Sequence, residues 1–95
     1  MSYKLEFKAS ALKEWAKLDS GVQWQFKSKL VERLETLRVP AARLHNMPDC
    51  YKIKLKQAGY RMIYQVEDEC ITVLVIAVGK RDKNAVYDRA KSRLD

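Results

Sequence analysis

The sequence predicts an α+β fold: one antiparallel β-sheet of about four strands packed on an N-terminal helical hairpin, with a short C-terminal helix. Three observations carry that prediction. Apolar residues recur at helical spacing between positions 10 and 35. Three strand-length apolar runs, separated by turn residues, fill positions 50 to 78. Helical and strand patterns are segregated along the chain, the arrangement that lays helices against an antiparallel sheet.

The elements follow in order. "YKLEF" at 3–7 alternates apolar and polar residues, so it reads as a short strand of the same sheet. Ser10 is placed as an N-cap, with Ala11, Leu12, Trp15 and Leu18 following at helical spacing. "LDSG" at 18–21 punctuates. A longer helix begins near Val22, with Phe26, Leu30, Val31 and Leu34 on one face and Lys27, Lys29 and Arg33 on its sides. The break between the two patterns is short, which predicts a helical hairpin. Pro40 ends this region, and "PAARLHNMPDC" at 40–50 reads as a loop. Strands are predicted over 50–55, 60–66 and 71–78, with "KQAG" and "EDE" as turns. The last strand is apolar on both faces and is expected at the centre, covered on both sides. "NAVYDRAKSRL" at 84–94 forms the closing helix.

A chain of 95 residues is one domain, 1–95, large enough for a core but with a small margin of stability. The formal net charge of +7 and pI of about 9.5 point to a polyanion or an acidic protein as partner. Cys50 and Cys70 make no disulfide framework and are read as packing residues. There is no leader pattern, and no apolar run is long enough to span a bilayer, so a cytoplasmic protein with reduced thiols and no membrane partner is expected. One His and two separated Cys give no metal-ligand spacing. Glycine occurs only at 21, 59 and 79, which leaves no phosphate-cradling loop. Neither a metal nor a cofactor is expected.

The stretch "DCYKIKLKQAGYRMIYQV" at 49–66 carries the chemistry. Alternation puts Tyr51, Ile53 and Leu55 on one face and Lys52, Lys54 and Lys56 on the other. If "KQAG" is a four-residue loop, Lys54 stands opposite Arg61 on a shared face. Like charges so placed destabilise by about 0.2–1 kcal/mol. A solvated face that discourages edge pairing is one account of the row. A rigid anion site is the other, and "GKRDK" at 79–83 favours it by adding Lys80, Arg81 and Lys83 near the end of the sheet. With one histidine, His45, paired-histidine phosphoryl chemistry is excluded. Any such chemistry rests on Lys, Arg and Tyr, and crowded cations lower the pKa values of Lys and Tyr. Tyr87 is the natural partner of Arg81, with core packing of its helix as the alternative.

The motifs "ALKEWAKLD" (11–19), "KLVERLE" (29–35), "MPDCYKIKL" (47–55), "GYRMIYQV" (59–66), "VGKRDK" (78–83) and "VYDRA" (86–90) occur in this order and spacing. On them the chain resembles the RelE family of toxin–antitoxin toxins over essentially its whole length. The resemblance implies a RelE-like microbial-ribonuclease fold and a ribosome-dependent endoribonuclease that enters the vacant decoding site and cuts the messenger codon there. The 2′-hydroxyl attacks the adjacent phosphate without a metal, leaving a 2′,3′-cyclic phosphate and a 5′-hydroxyl. The family's active-site positions match Lys52, Lys54, Arg61, Arg81 and Tyr87. Tyr87 would be general base, or would orient the hydroxyl and stack on a base. Arg81 would stabilise the leaving group, since a guanidinium with a pKa above about 12 is a poor literal acid. Lys52, Lys54 and Arg61 would hold the phosphate and its transition-state charge, and Lys54 would share in proton transfer. Lys56, Lys80 and Lys83 would add RNA contacts.

One departure touches RNA binding. The family reads Leu-Arg-Gly before "MPDCYK", and this chain reads Leu44-His45-Asn46. His45 loses a permanent cation, which is expected to alter RNA contact strength and to spare the chemistry. The implied partners are a cognate antitoxin, which wraps the toxin and displaces or occludes the C-terminal helix, and the 70S ribosome with mRNA and 16S rRNA. Operator DNA would be met only through the antitoxin complex. Two readings compete: a non-catalytic ribosome- or nucleic-acid-binding protein, and a gyrase-poisoning toxin of the ParE branch that lacks the catalytic set. The presence of all five matched positions argues against both.

Overall fold

The computed structural model of the protein describes residues 4–35, 39–44, 47–67, 72–80 and 85–94. The elements are β1 (Lys4–Phe7), α1 (Ala9–Ala16), α2 (Ser20–Glu35), a 3-10 turn (Pro40–Ala42), β2 (Cys50–Leu55), β3 (Tyr60–Glu67), β4 (Thr72–Lys80) and α3 (Ala85–Arg93). The strands form one sheet in the order β1-β4-β3-β2. As expected, β4 is central and covered on both faces.

The β2–β3 hairpin has the predicted register, with Leu55 opposite Tyr60 and Lys54 opposite Arg61. Its turn closes through Gly59, whose φ of +73° suits glycine and whose N–H donates to Leu55 O at 2.8 Å. The sheet as a whole is mixed, which corrects the antiparallel expectation. β1 runs parallel to β4, from Lys4 opposite Thr72 to Phe7 opposite Val75. Turn chemistry fixes the direction of strands joined by hairpins. No hairpin joins β1 to β4, so only packing decides how they pair.

A bulge interrupts β3 and β4. Ile63 pairs with Ala77 and Tyr64 with Val75, leaving Ile76 as the extra residue. Ile76 and Ala77 therefore point to the same side, and the alternation of every later β4 residue is inverted. Two cores result. One lies under α1 and α2 and contains Phe26, Met62, Tyr64, Val75 and Val78. The other lies under α3 and contains Cys50, Ile63, Ile76, Ala77, Val86 and Ala90.

α1 packs on β4 and β1, whereas α2 lies against β2. The helices touch through Trp15 and Phe26, whose ring centroids are 6.2 Å apart, and through Gln23 Nε2 donating to Trp15 O. Helix starts and phases differ in detail from the sequence expectation. α1 begins a residue before Ser10, after an uncapped Lys8. The side-chain cap belongs instead to α2, where Val22 N donates to Asp19 Oδ1 at 2.9 Å. Leu12 and Val31, 52% and 64% exposed, lie off the buried faces that Ala11, Val22, Phe26 and Leu30 define. The turn expected at 67–69 lies mostly outside the described residues.

Candidate active site

The face of the sheet under α3 carries the cationic row. Lys52 and Arg61 are half-buried and Lys54 is exposed. Lys54 stands opposite Arg61, with Lys52 two residues along the same face. The Lys52 charge holds the Lys54 amine below its ordinary value, helped by partial desolvation, by Arg61, by a hydrogen bond with Lys52 and by Lys56. The repulsion foreseen from alternation is therefore present, and Lys56 contributes to it from the turn. In an NMR titration of the lysine side chains, Lys54 is expected to lose its proton below 10.5, and Lys52→Ala is expected to move that midpoint upward. A Lys54 midpoint indifferent to Lys52 would mean that the two amines do not interact.

α3 brings the aromatic partner. Val86 and Ala90 anchor the helix in the core, and the Tyr87 ring packs against the same cluster. Its hydroxyl reaches outward to accept from Arg61 Nη1 at 3.0 Å, and Arg61 Cζ lies 5.3 Å from the ring centroid. Gly79, opposite Arg61 in β4, supplies the clearance for α3. A Cβ at position 79 would lie 2.3 Å from Arg89 Nη2 and 3.1 Å from Val86 Cγ2. The Tyr87 ring therefore packs on the core while its hydroxyl lies at the basic surface.

The remaining nominated residues divide. Lys80 pairs with Tyr60 and so stands on the opposite face from Arg61, near Lys17. Arg81, Lys83 and His45 lie outside the described residues. Burial and the Asp49 charge push the Cys50 thiol up to about 12, which makes it a packing residue and no nucleophile.

The surface is chemically suited to a phosphodiester. Three ammonium or guanidinium groups converge beside a phenol, and a sheet holds them in place. Among the described residues, no group of three or more His, Cys, Asp or Glu side chains could hold a metal ion, and no helix is long and apolar enough to cross a membrane.

Residues 5–85 match the family model described as ParE toxin of type II toxin–antitoxin system, parDE. The chain is 55% identical to the mRNA interferase toxin RelE of Escherichia coli K12, over 99% of each chain. It superposes on a double arginine-to-alanine mutant of E. coli RelE in the free state with a TM-score of 0.92, at 54% identity and over 100% of both chains. A chain of the intact E. coli RelBE toxin–antitoxin complex superposes with a TM-score of 0.82 at 56% identity, covering 86% of this chain and 100% of that one. This chain belongs to the RelE family of type II toxin–antitoxin toxins. The matched family model carries the ParE name, but identity over the full length lies with RelE.

Several side chains that shape this RelE-type surface escaped the sequence reading. Arg33, read as part of a basic helix side, is half-buried and donates to Lys52 O at 3.1 Å and to the Tyr64 hydroxyl at 3.2 Å. It ties α2 to the strand that bears the lysines. A signal existed, because Arg33 follows Phe26 and Leu30 at i+7 and i+3 and so borders the buried face. With Lys29, Lys52 and Lys54 it lines a groove of about 290 Å³ floored by Val39, Ala42 and Ile53. Glu14, Arg89 and Arg93 also escaped, and for them no local signal exists.

Proposed function

We propose that this protein is the toxin of a toxin–antitoxin module and acts as a ribosome-dependent endoribonuclease on mRNA in the decoding site. The observation that carries the reading is Tyr87 held against Arg61 beside the Lys52–Lys54 row. Full-length similarity to proteins named mRNA interferase supports the substrate class.

The reaction is transesterification. The ribose 2′-oxygen forms a bond to the adjacent phosphorus, the bond from phosphorus to the 5′-oxygen breaks, and the products are a 2′,3′-cyclic phosphate and a 5′-hydroxyl. Atoms balance without water: the proton lost by the 2′-hydroxyl is matched by one gained at the 5′-oxygen. Tyr87 orients the 2′-hydroxyl or takes its proton, and Arg61 donates a hydrogen bond to its phenol oxygen at 3.0 Å. Lys52, Lys54 and Arg61 hold the non-bridging oxygens as negative charge builds. A Lys54 amine held below its ordinary value is also suited to sharing the proton transfer. Arg81 stabilises the departing 5′-oxygen. Lys56 and Lys83 extend the RNA contact, with His45 at its margin, and Lys80 would meet RNA only from the other face of the sheet. No metal enters this reading, because charge stabilisation and proton transfer are assigned to Lys, Arg and Tyr side chains.

The ribosome supplies substrate geometry that this site, lacking a conventional base, does not impose on free RNA. The partners are thus the 70S ribosome with its mRNA and 16S rRNA, and a cognate antitoxin in the cytoplasm. Operator DNA is contacted through the antitoxin complex.

The test is cleavage of a messenger positioned on ribosomes with an empty decoding site, with and without EDTA, comparing the natural protein with Arg81→Ala. A cut within the codon, indifferent to chelator and lost in the variant, is expected. Folded protein that makes no cut would redirect the reading to ribosome binding or to gyrase, with the lysine row as a docking surface.

A further inference from the structure

β1 covers one edge of β4 only as far as Val75. Beyond that point β4 continues to Lys80, and the backbone groups of Ile76 and Val78 meet side chains instead of a strand. Val78 N donates to Glu14 Oε1 at 3.1 Å. Arg93 Nη1 donates to Ile76 O at 3.0 Å, and Arg89 Nη2 to Val78 O at 3.4 Å. Glu14 belongs to α1 and the two arginines to α3, so three side chains from two helices stand where a neighbouring strand would be.

These side chains also bind one another. Arg93 grips Glu14 with both terminal nitrogens, Nη1 to Oε1 at 2.8 Å and Nη2 to Oε2 at 3.3 Å. Such a two-pronged guanidinium–carboxylate pair is directional as well as strong. Arg89 Nε lies 2.9 Å from Oε2. Its N–H is not aimed at that oxygen, so Arg89 acts on Glu14 as a charge. Burial works to raise the Glu14 carboxyl, but the Arg93 hydrogen bond, the Val78 N–H and the two arginine charges outweigh it and hold it below 4.5. Glu14 is therefore ionised at neutral pH, and its side chain is only 18% exposed. Lys8, just before α1, donates its amine to Arg93 O and closes the far end of α3.

α3 is a nine-residue helix whose buried side chains are Val86 and Ala90. Two small anchors resist sliding and rotation weakly. Tyr87, on the same short helix, must keep its hydroxyl 3.0 Å from Arg61. A displacement of about 1 Å at such a site costs on the order of 100-fold in rate.

We propose that Glu14 is a positioning residue for Tyr87: through Arg93 and Arg89 it fixes α3 on the sheet and thereby aims the phenol at Arg61. This rests on the role given to Tyr87 in the proposed function. Glu14 does not touch RNA. It lies beneath the end of α3 remote from the lysine row and acts on the reaction only through the helix.

The experiment pairs hydrogen exchange on the free protein with cleavage of ribosome-positioned messenger, for Glu14→Gln and Glu14→Asp. Glutamine removes the charge and turns one acceptor into a donor that faces guanidinium. The expected result has two parts. Amides 86–93 exchange at least about tenfold faster while those of β3 and β4 stay protected, and kcat falls about tenfold with KM little changed. Glu14→Asp keeps the charge and recovers part of both losses. Should Glu14→Gln fold poorly, Arg93→Gln opens the same contact from α3 and is read in the same way.

Unchanged exchange in α3 overturns the proposal whatever the activity. Uniformly faster exchange across the sheet also overturns it, because Glu14 would then stabilise the fold without aiming Tyr87. Faster exchange confined to α3 with full kcat would leave the clasp intact as a structural fact but sink the aiming of Tyr87, whereas loss of the Tyr87 role itself would show as full kcat in Tyr87→Phe.

Discussion

Arg61→Ala is expected to slow cleavage of ribosome-positioned messenger by on the order of 100-fold or more. Stability should stay within about 0.5 kcal/mol of the natural protein. The two expectations have one cause. Arg61 is half-buried on β3 and faces Lys54 across the hairpin, a like-charge contact that opposes folding. Among the described residues, its favourable contacts are the Tyr87 hydroxyl and ring. Removing the side chain relieves the first and forfeits the second, so the folded state changes little in free energy. The site loses a phosphate donor and the group that holds the phenol. Lysine at 61 should restore little, because a single ammonium lacks the planar fork that spans a phosphate oxygen and the Tyr87 hydroxyl together.

A double-mutant cycle sharpens the expectation. Tyr87→Phe removes the hydroxyl that Arg61 holds. If the two groups act as a unit, the double variant should be hardly slower than the worse of the singles. Losses that multiply would show that Arg61 and Tyr87 contribute separately, and the 3.0 Å hydrogen bond would then have no part in the reaction.

What the sequence revealed of this arrangement depended on how far apart in the chain the partners lie. The β2–β3 hairpin was legible down to its register, because loop length fixes the pairing and alternation fixes the faces. The lysine row and its opposition to Arg61 followed from those two rules. The contact between Tyr87 and Arg61 was not legible, since it needs α3 docked on the sheet, 26 residues along the chain. Glu14 is further removed still: its partners lie 64 to 79 residues away, and nothing in "ALKEWAKLD" distinguishes it from a solvated helix carboxylate. The parallel pairing of β1 was hidden for the same reason. The faces of Gly79 and Lys80 were not legible because of a local effect. The bulge at Ile76 inverts the alternation, so Lys80 turns away from the row and Gly79 turns toward α3. A strand pattern read without the bulge assigns both to the wrong face.

That inversion gives the second large expectation, at Gly79. Gly79→Val should leave the sheet folded and yet lower cleavage by about 10- to 100-fold. Valine suits a central strand, and Gly79 is not among the positive-φ glycines, so nothing in its backbone requires glycine. The obstacle lies above the sheet. A Cβ there would lie 2.3 Å from Arg89 Nη2, but that is the tip of a long side chain and can swing aside. The same Cβ would lie 3.1 Å from Val86 Cγ2. Val86 is 2% exposed and β-branched within a helix, where essentially one χ1 rotamer is open to it, so it cannot turn away. The helix must lift instead, at a cost of about 1–3 kcal/mol confined to the docking of α3. Tyr87, next to Val86, then leaves Arg61. Trimming the wall tests this account. Val86→Ala in the Gly79→Val background should restore much of the rate, whereas Arg89→Ala in that background should restore little. Rescue by Arg89→Ala alone would locate the clash at the flexible tip. Failure of Val86→Ala to rescue would mean that position 79 serves the reaction other than by seating the helix that carries the phenol.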